Sequence, residues 1–278
     1  MADRLLLLAC ISVAVNGHVN KGAVAASQFE LTCVVAGRVA GEADRGQMSA
    51  CPGGIHCSVR SVVRGRLAIG LLRAVVGALT ISVLFFTFGL IVEGGDANPF
   101  DYFGYFTNQT SLIMGVVLIT TAILTALQRR PPPWLTSLRG MATAYLSVVA
   151  VIYNVLVPGT GNAPPWVSSV LHIAVPAYAV LDWVLVNDRP PLPWRKLWLL
   201  LPYPMVWLVV VLSRGATDGW VPYGFLLPAN GPTSLILHIV ALICAVLVAG
   251  VLVWWASRLS IYAFSAGSAN KATHGAGL

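Results

Sequence analysis

The sequence predicts an all-α fold: a polytopic membrane protein with six transmembrane helices and both termini in the cytoplasm. Three observations carry that prediction. Hydrophobic residues fill 57% of the 278 positions and charged residues only 10%, against about 25% charged in an average soluble domain. A soluble fold of this length has no way to hide so much apolar surface. The apolar residues also gather into segments of roughly 20, the length that crosses a hydrocarbon core about 30 Å thick. Finally, the basic residues collect in every second connection, as the positive-inside bias requires. The net charge of +7 is thereby explained by topology. Nucleic acid is not an expected partner, because Arg and Lys are scattered through short loops.

Taken in order, the spans are expected over 67–92, 110–128, 141–157, 166–186, 194–212 and 233–257. Their connections are short and rich in Pro or Gly, as in "RRPPPW", "PGTGNAPPW" and "NDRPPLPW". Proline stops a helix there without leaving an orphan donor in lipid. Arg60, Arg64 and Arg66 precede the first span. Arg129, Arg130 and Arg139 surround the second loop, Arg189, Arg195 and Lys196 the fourth, and Arg258 and Lys271 follow the last span. The other three connections carry only Arg214, and the first of them is acidic, with Glu93, Asp96 and Asp101.

Residues 1–66 read as a separate extension. They hold a single aromatic, Phe29, and four of the five cysteines. The run "MADRLLLLACISVAV" before "GAVAAS" has the outline of a signal peptide, but export of this end would put Arg60, Arg64 and Arg66 on the wrong side. "CPGGIHC" at 51–57 is far looser than paired Cys-x2-Cys knuckles, so no metal or other cofactor is expected. The extension is read as a disordered tail, or as a start placed upstream of the true one, and 258–278 as a disordered cytoplasmic tail.

Polar residues converge at one depth. At 1.5 Å per residue, Thr107, Asn108 and Gln109 sit at the outer boundary of the second span. His172 lies roughly 9 Å below the outer surface on the fourth. Asn154 on the third and His238 on the sixth fall about a turn below it. A buried site between helices would need such a layer. Each residue also has a plainer role open to it. Thr107 or Asn108 suits an N-cap, His172 a bond to Ser168 or Ser169, and Asn154 interhelical bonding. His238 is read as structural. Asp182, near the inner end, is expected to pair with Arg189 or Arg195. Trp166, Trp220 and Tyr223 at one boundary, with Trp134, Trp183 and Trp194 at the other, read as interface belts.

Three stretches, "FGYFTNQTSLIMG" (103–115), "WVSSVLHIAVPAYAVLDW" (166–183) and "RGATDGWVPYGFLLP" (214–228), resemble the androgen-induced-gene family of six-span membrane proteins, and the polar "TNQT" looks like its bacterial branch. The resemblance covers 67–257. It implies a bacterial plasma-membrane protein acting on membrane lipid, with a fatty acyl ester as substrate. Thr107 would be the nucleophile, His172 the base, and Asn108, Gln109 or Asn154 the donors to an oxyanion. Asp182, ten residues from His172 and about 15 Å along the helix, is too far to complete a triad. The alternative is a membrane protein without catalysis, either accessory or a small-molecule transporter; the sequence shows neither repeated halves nor a midplane charge pair. The oligomeric state is not encoded legibly.

Overall fold

The computed structural model describes residues 54–95, 98–156, 163–186 and 188–259, with side chains from residue 65 onward. Among them there is no strand, and six helices are long and apolar enough to cross a membrane. These are Gly65–Glu93, Phe106–Ala126, Pro133–Leu156, Pro165–Leu185, Trp194–Thr217 and Pro232–Ala256, called here the first to sixth spans. The first continues a helix that begins at Gly54. The chain divides into two compact units, Met1–Ile69 and Gly70–Leu278, and the features below belong to the second. The expectations for 1–53 and for 260–278 lie outside the described residues.

Proline placement explains the element boundaries. The third and fourth spans begin on Pro133 and Pro165, the last 16 residues of the fifth on Pro202, and the sixth on Pro232. At a first helical position the missing N–H is an orphan anyway and φ is already helical. The third span therefore begins eight residues before the expected 141, because the last proline of "RRPPPW" starts a helix as well as ending a loop. Arg139, expected in that loop, is consequently buried inside the third span. The second span ends where Gln128 adopts φ 55° and Arg129 N–H reaches back to Leu124 O at 2.8 Å, a left-handed helix stop.

The helices pack through aromatic residues whose polar ends are satisfied, as burial demands. Tyr145 Oη donates to Leu200 O at 2.9 Å, Trp183 Nε1 to Val253 O at 2.9 Å, and Tyr102 Oη to Leu84 O at 2.9 Å. Trp183 is only 1% exposed, so it belongs to the core and not to an interface belt. Trp134, Trp166 and Trp194 do lie on the surface. Thr80, Thr87, Thr121 and Thr143 bond back to the carbonyl four residues earlier, which keeps hydroxyls satisfied inside apolar helices.

Candidate functional site

The second span opens at Phe106 with Tyr105 as its N-cap, and no side chain caps it. "TNQT" thus forms the first turn of the helix and does not cap it. The amides of that turn face backward. Asn108 Nδ2 donates to Tyr102 O at 2.7 Å and Gln109 Nε2 to Phe103 O at 2.7 Å, while Gln109 Oε1 accepts from Tyr203 Oη at 2.7 Å. Thr110 Oγ1 donates to Phe106 O at 2.8 Å. Trp207 Nε1 takes Gly104 O at 2.9 Å, and Gly104 admits no Cβ because Trp220 would lie 2.3 Å away. Asn108 and Gln109, expected as oxyanion donors, therefore clamp the loop over the helix end. Thr107 differs: buried to 6% exposure, it lines a cavity.

Tyr223 completes this end. It lies in the loop before the sixth span and stacks on Phe225 at 5.4 Å, with edge contacts to Tyr105 at 5.7 Å. Burial pushes its phenol up to about 12, opposed by hydrogen-bonding interactions with the Thr107 side chain and the backbone of Thr107 and Phe106. At neutral pH the phenol therefore keeps its proton and remains a donor. Sequence reasoning placed Tyr223 in an interface belt; the loop turns it inward beside Thr107. The adjacent "WVPYGF" quoted for the resemblance was the only signal that marked it.

His172 reaches the same cavity from the fourth span. It sits at the centre of a π-helical turn, Val170–Ala174, closed by Val175 N–H donating to Val170 O. Pro176 explains the irregularity, since it has no N–H to offer the carbonyl of His172 four residues earlier. Asn154 Nδ2 stands in, at 3.4 Å from His172 O, while also donating to Ala150 O at 2.7 Å. Asn154 Nδ2 is accordingly occupied by two backbone carbonyls, where the sequence led us to expect a side-chain donor to an oxyanion. His172 Nδ1 lies 2.9 Å from Ser168 O; a carbonyl only accepts, so Nδ1 carries the proton and a neutral ring keeps its lone pair on Nε2. The ring lies flat on Tyr153, with centroids 3.6 Å apart and planes inclined by 12°. Single-turn π-bulges inside α-helices are frequent at functional sites.

The cavity has a volume of about 80 Å³, counted as room for the centres of water-sized spheres. Thr107, Tyr223 and His172 all line it, with Tyr153 beside the histidine, and most of the remaining lining is apolar, from Phe106 to Val246. Among the described residues no hydrogen bond joins Thr107 to His172. His238 stays out of it: Nδ1 bonds to Ser234 O at 2.8 Å and the ring stacks on Phe225, the structural role expected.

The opposite end of the bundle carries a charge network. Asp182 accepts from Arg73 Nε at 2.8 Å and Nη2 at 3.2 Å, so its partner is Arg73 and not Arg189 or Arg195. The reason is reach: Arg73, itself buried on the largely exposed first span, extends to the fourth, while Arg189 folds back over the Trp183 ring at 3.7 Å. Asp188 joins Arg73 at 2.6 Å to Arg139 at 2.6 Å. Burial alone would raise the Asp188 carboxyl, but the guanidiniums of Arg139 and Arg73 outweigh it and hold it well below the usual carboxylate range. Burial and repulsion from Arg139 push Arg189 down to about 9. No sequence signal tied Arg139 and Asp188, 49 residues apart, to this cluster.

Comparison with protein-family models, curated proteins and solved structures finds no match for this chain.

Proposed function

We propose that the chain is an intramembrane hydrolase of a lipid ester, with Thr107 as nucleophile and His172 as base, in a bacterial plasma membrane with both termini cytoplasmic. The observation that carries this is that Thr107 and His172, from two different spans, line one and the same largely apolar cavity. The resemblance of 103–115 and 166–183 to the androgen-induced-gene family supports the same two residues, and the alternation of basic loops supports the orientation.

Each residue has its task. Thr107 Oγ adds to the ester carbonyl carbon while its proton passes to His172 Nε2, the ring nitrogen left unprotonated by the bond to Ser168. The oxyanion is met by the Tyr223 phenol, which stays protonated at neutral pH. The C–O bond breaks, and the alcohol leaves with the proton from His172. Water then gives a proton to His172 Nε2 and its oxygen to the acyl-threonine; the acid departs and Thr107 regains its hydrogen.

A specific observation favours one other reading, a lipid-binding protein without catalysis: the hydroxyl of Thr107 interacts with Tyr223 and makes no bond to His172. Catalytic hydrogen bonds in empty sites often tighten only with substrate bound, so the hydrolase is preferred. The test is fluorophosphonate labelling in native membranes of wild type, Thr107→Ala and His172→Ala at matched expression. The hydrolase requires labelling of the wild type that both substitutions abolish. A folded wild type that stays unlabelled leaves the binding protein.

A further inference from the structure

We propose that Trp207 is the gate between a water-holding cleft at the end of the bundle and the buried cavity, and that the clamp made by Asn108 and Gln109 holds it shut. The proposal deepens the hydrolase reading, because it supplies the water that frees an acyl-threonine. The route itself requires no bond to be cleaved.

Two spaces meet at this residue. Beside the buried cavity lies a cleft of about 210 Å³ by the same measure, walled by Phe100, Phe103 and Trp220, with Gln109 and Arg214 as its polar lining. One water needs about 10–15 Å³ of such room and two to four polar partners, so the cleft accommodates several. Phe100 is 77% exposed. Arg214, in the last turn of the fifth span, pairs with Asp101 at 2.6 Å and Asp218 at 2.7 Å. The cleft therefore meets solvent where the spans end. Among the described residues, Trp207 alone lines both the cleft and the cavity.

The other walls offer water no comparable path. The third, fourth and sixth spans border hydrocarbon, which holds no water to speak of. Stacked rings cover the loop side, Tyr223 on Phe225 at 5.4 Å and Phe225 on His238 at 5.6 Å.

Trp207 is held like a latch. Its ring is 9% exposed and meets Phe106 at 5.1 Å and Tyr223 at 5.9 Å between centroids. Its one hydrogen bond runs from Nε1 to Gly104 O at 2.9 Å. That carbonyl belongs to the loop that Asn108 and Gln109 pin through Tyr102 O and Phe103 O, both at 2.7 Å. The polar start of the second span thus fixes the acceptor on which the indole rests. A single neutral hydrogen bond contributes little net free energy, so the indole can turn away without unfolding the helix. Once turned, it joins the two spaces and admits cleft water past Phe106 to Thr107. Shut, it keeps the site dry, which strengthens electrostatic interactions there.

The experiment uses the full chain with its five cysteines replaced by alanine, in native membranes opened to reagent on both faces. Thr107→Cys reports on the cavity and Phe100→Cys on the cleft. The probe is a charged, water-soluble methanethiosulfonate, and the rate of thiol modification is read with Trp, Phe or Ala at position 207. With Trp207 in place, Thr107→Cys should react far more slowly than Phe100→Cys. Trp207→Phe, which lacks the N–H, should speed it roughly 2- to 10-fold, the effect of one lost hydrogen bond, and Trp207→Ala more. Phe100→Cys should keep its rate throughout. A Thr107→Cys rate that equals that of Phe100→Cys with Trp207 present overturns the gate, as does one indifferent to both substitutions. If Trp207→Ala does not fold, Trp207→Phe decides. A rate that follows residue 207 while Thr107 stays unreactive to fluorophosphonate retains the gate and sinks the hydrolase. The converse result sinks only the gate.

Discussion

Asp182→Asn separates the two ends of the bundle. The substitution removes the carboxylate that accepts from Arg73 at 2.8 and 3.2 Å, while Arg73 itself is 1% exposed. Stranding one member of a buried pair costs about 3–5 kcal/mol. Arg73 keeps its bond to Asp188 at 2.6 Å, so the loss should sit at the lower end, about 3 kcal/mol. For a chain of this size that corresponds to a Tm lower by about 6–12 °C, read by fluorescence-detected size-exclusion chromatography after heating in detergent. Arg73→Met with Asp182→Leu should recover most of it, since apolar replacements relieve the desolvation of both charges. Thr107 labelling per folded molecule should not change in Asp182→Asn, because about 15 Å separates Asp182 from His172. A wild-type Tm for Asp182→Asn refutes the energetic reasoning. Abolished labelling in folded Asp182→Asn refutes the separation of the ends.

Three further outcomes are expected. Asp188 is an acid whose folded pKa is depressed, so its contribution is complete above the unfolded value of about 3.9 and is lost as pH falls toward the folded one; melting at pH 7 and pH 3 should show a smaller acid loss in Asp188→Asn than in wild type. Gly77→Ala should destabilise by about 1–3 kcal/mol, because its Cβ would lie 2.7 Å from Gly115 O and 2.9 Å from Ile119 Cγ1; Gly89→Ala, with open space around it, is the control in the same denaturation assay. Asn154→Ala frees the carbonyl of His172 and should slow fluorophosphonate labelling while shifting Tm by only about 1 kcal/mol equivalent; an unchanged labelling rate removes Asn154 from the positioning of His172.

Composition and patterning were enough to determine the bundle. An apolar fraction of 57%, gathered into six segments of about 20 residues, fits helices, which pair their own backbone groups and at that length cross a hydrocarbon core. Prolines and a left-handed stop then set the helix ends, with the third span misplaced because Pro133 begins a helix as readily as it ends a loop. Two of the polar residues singled out from the sequence, Thr107 and His172, do line a common cavity. The roles of the polar residues were not legible. A side chain's partner depends on which helix passes it and at what rotation, and neither is written in local spacing. Only the tertiary packing turned Asn108 and Gln109 back onto Tyr102 and Phe103, brought Tyr223 inward to Thr107, and gave the carbonyl that Pro176 orphans to Asn154. It also paired Asp182 with Arg73 across 109 positions of sequence, because a buried charge must find its counterion wherever the fold delivers one.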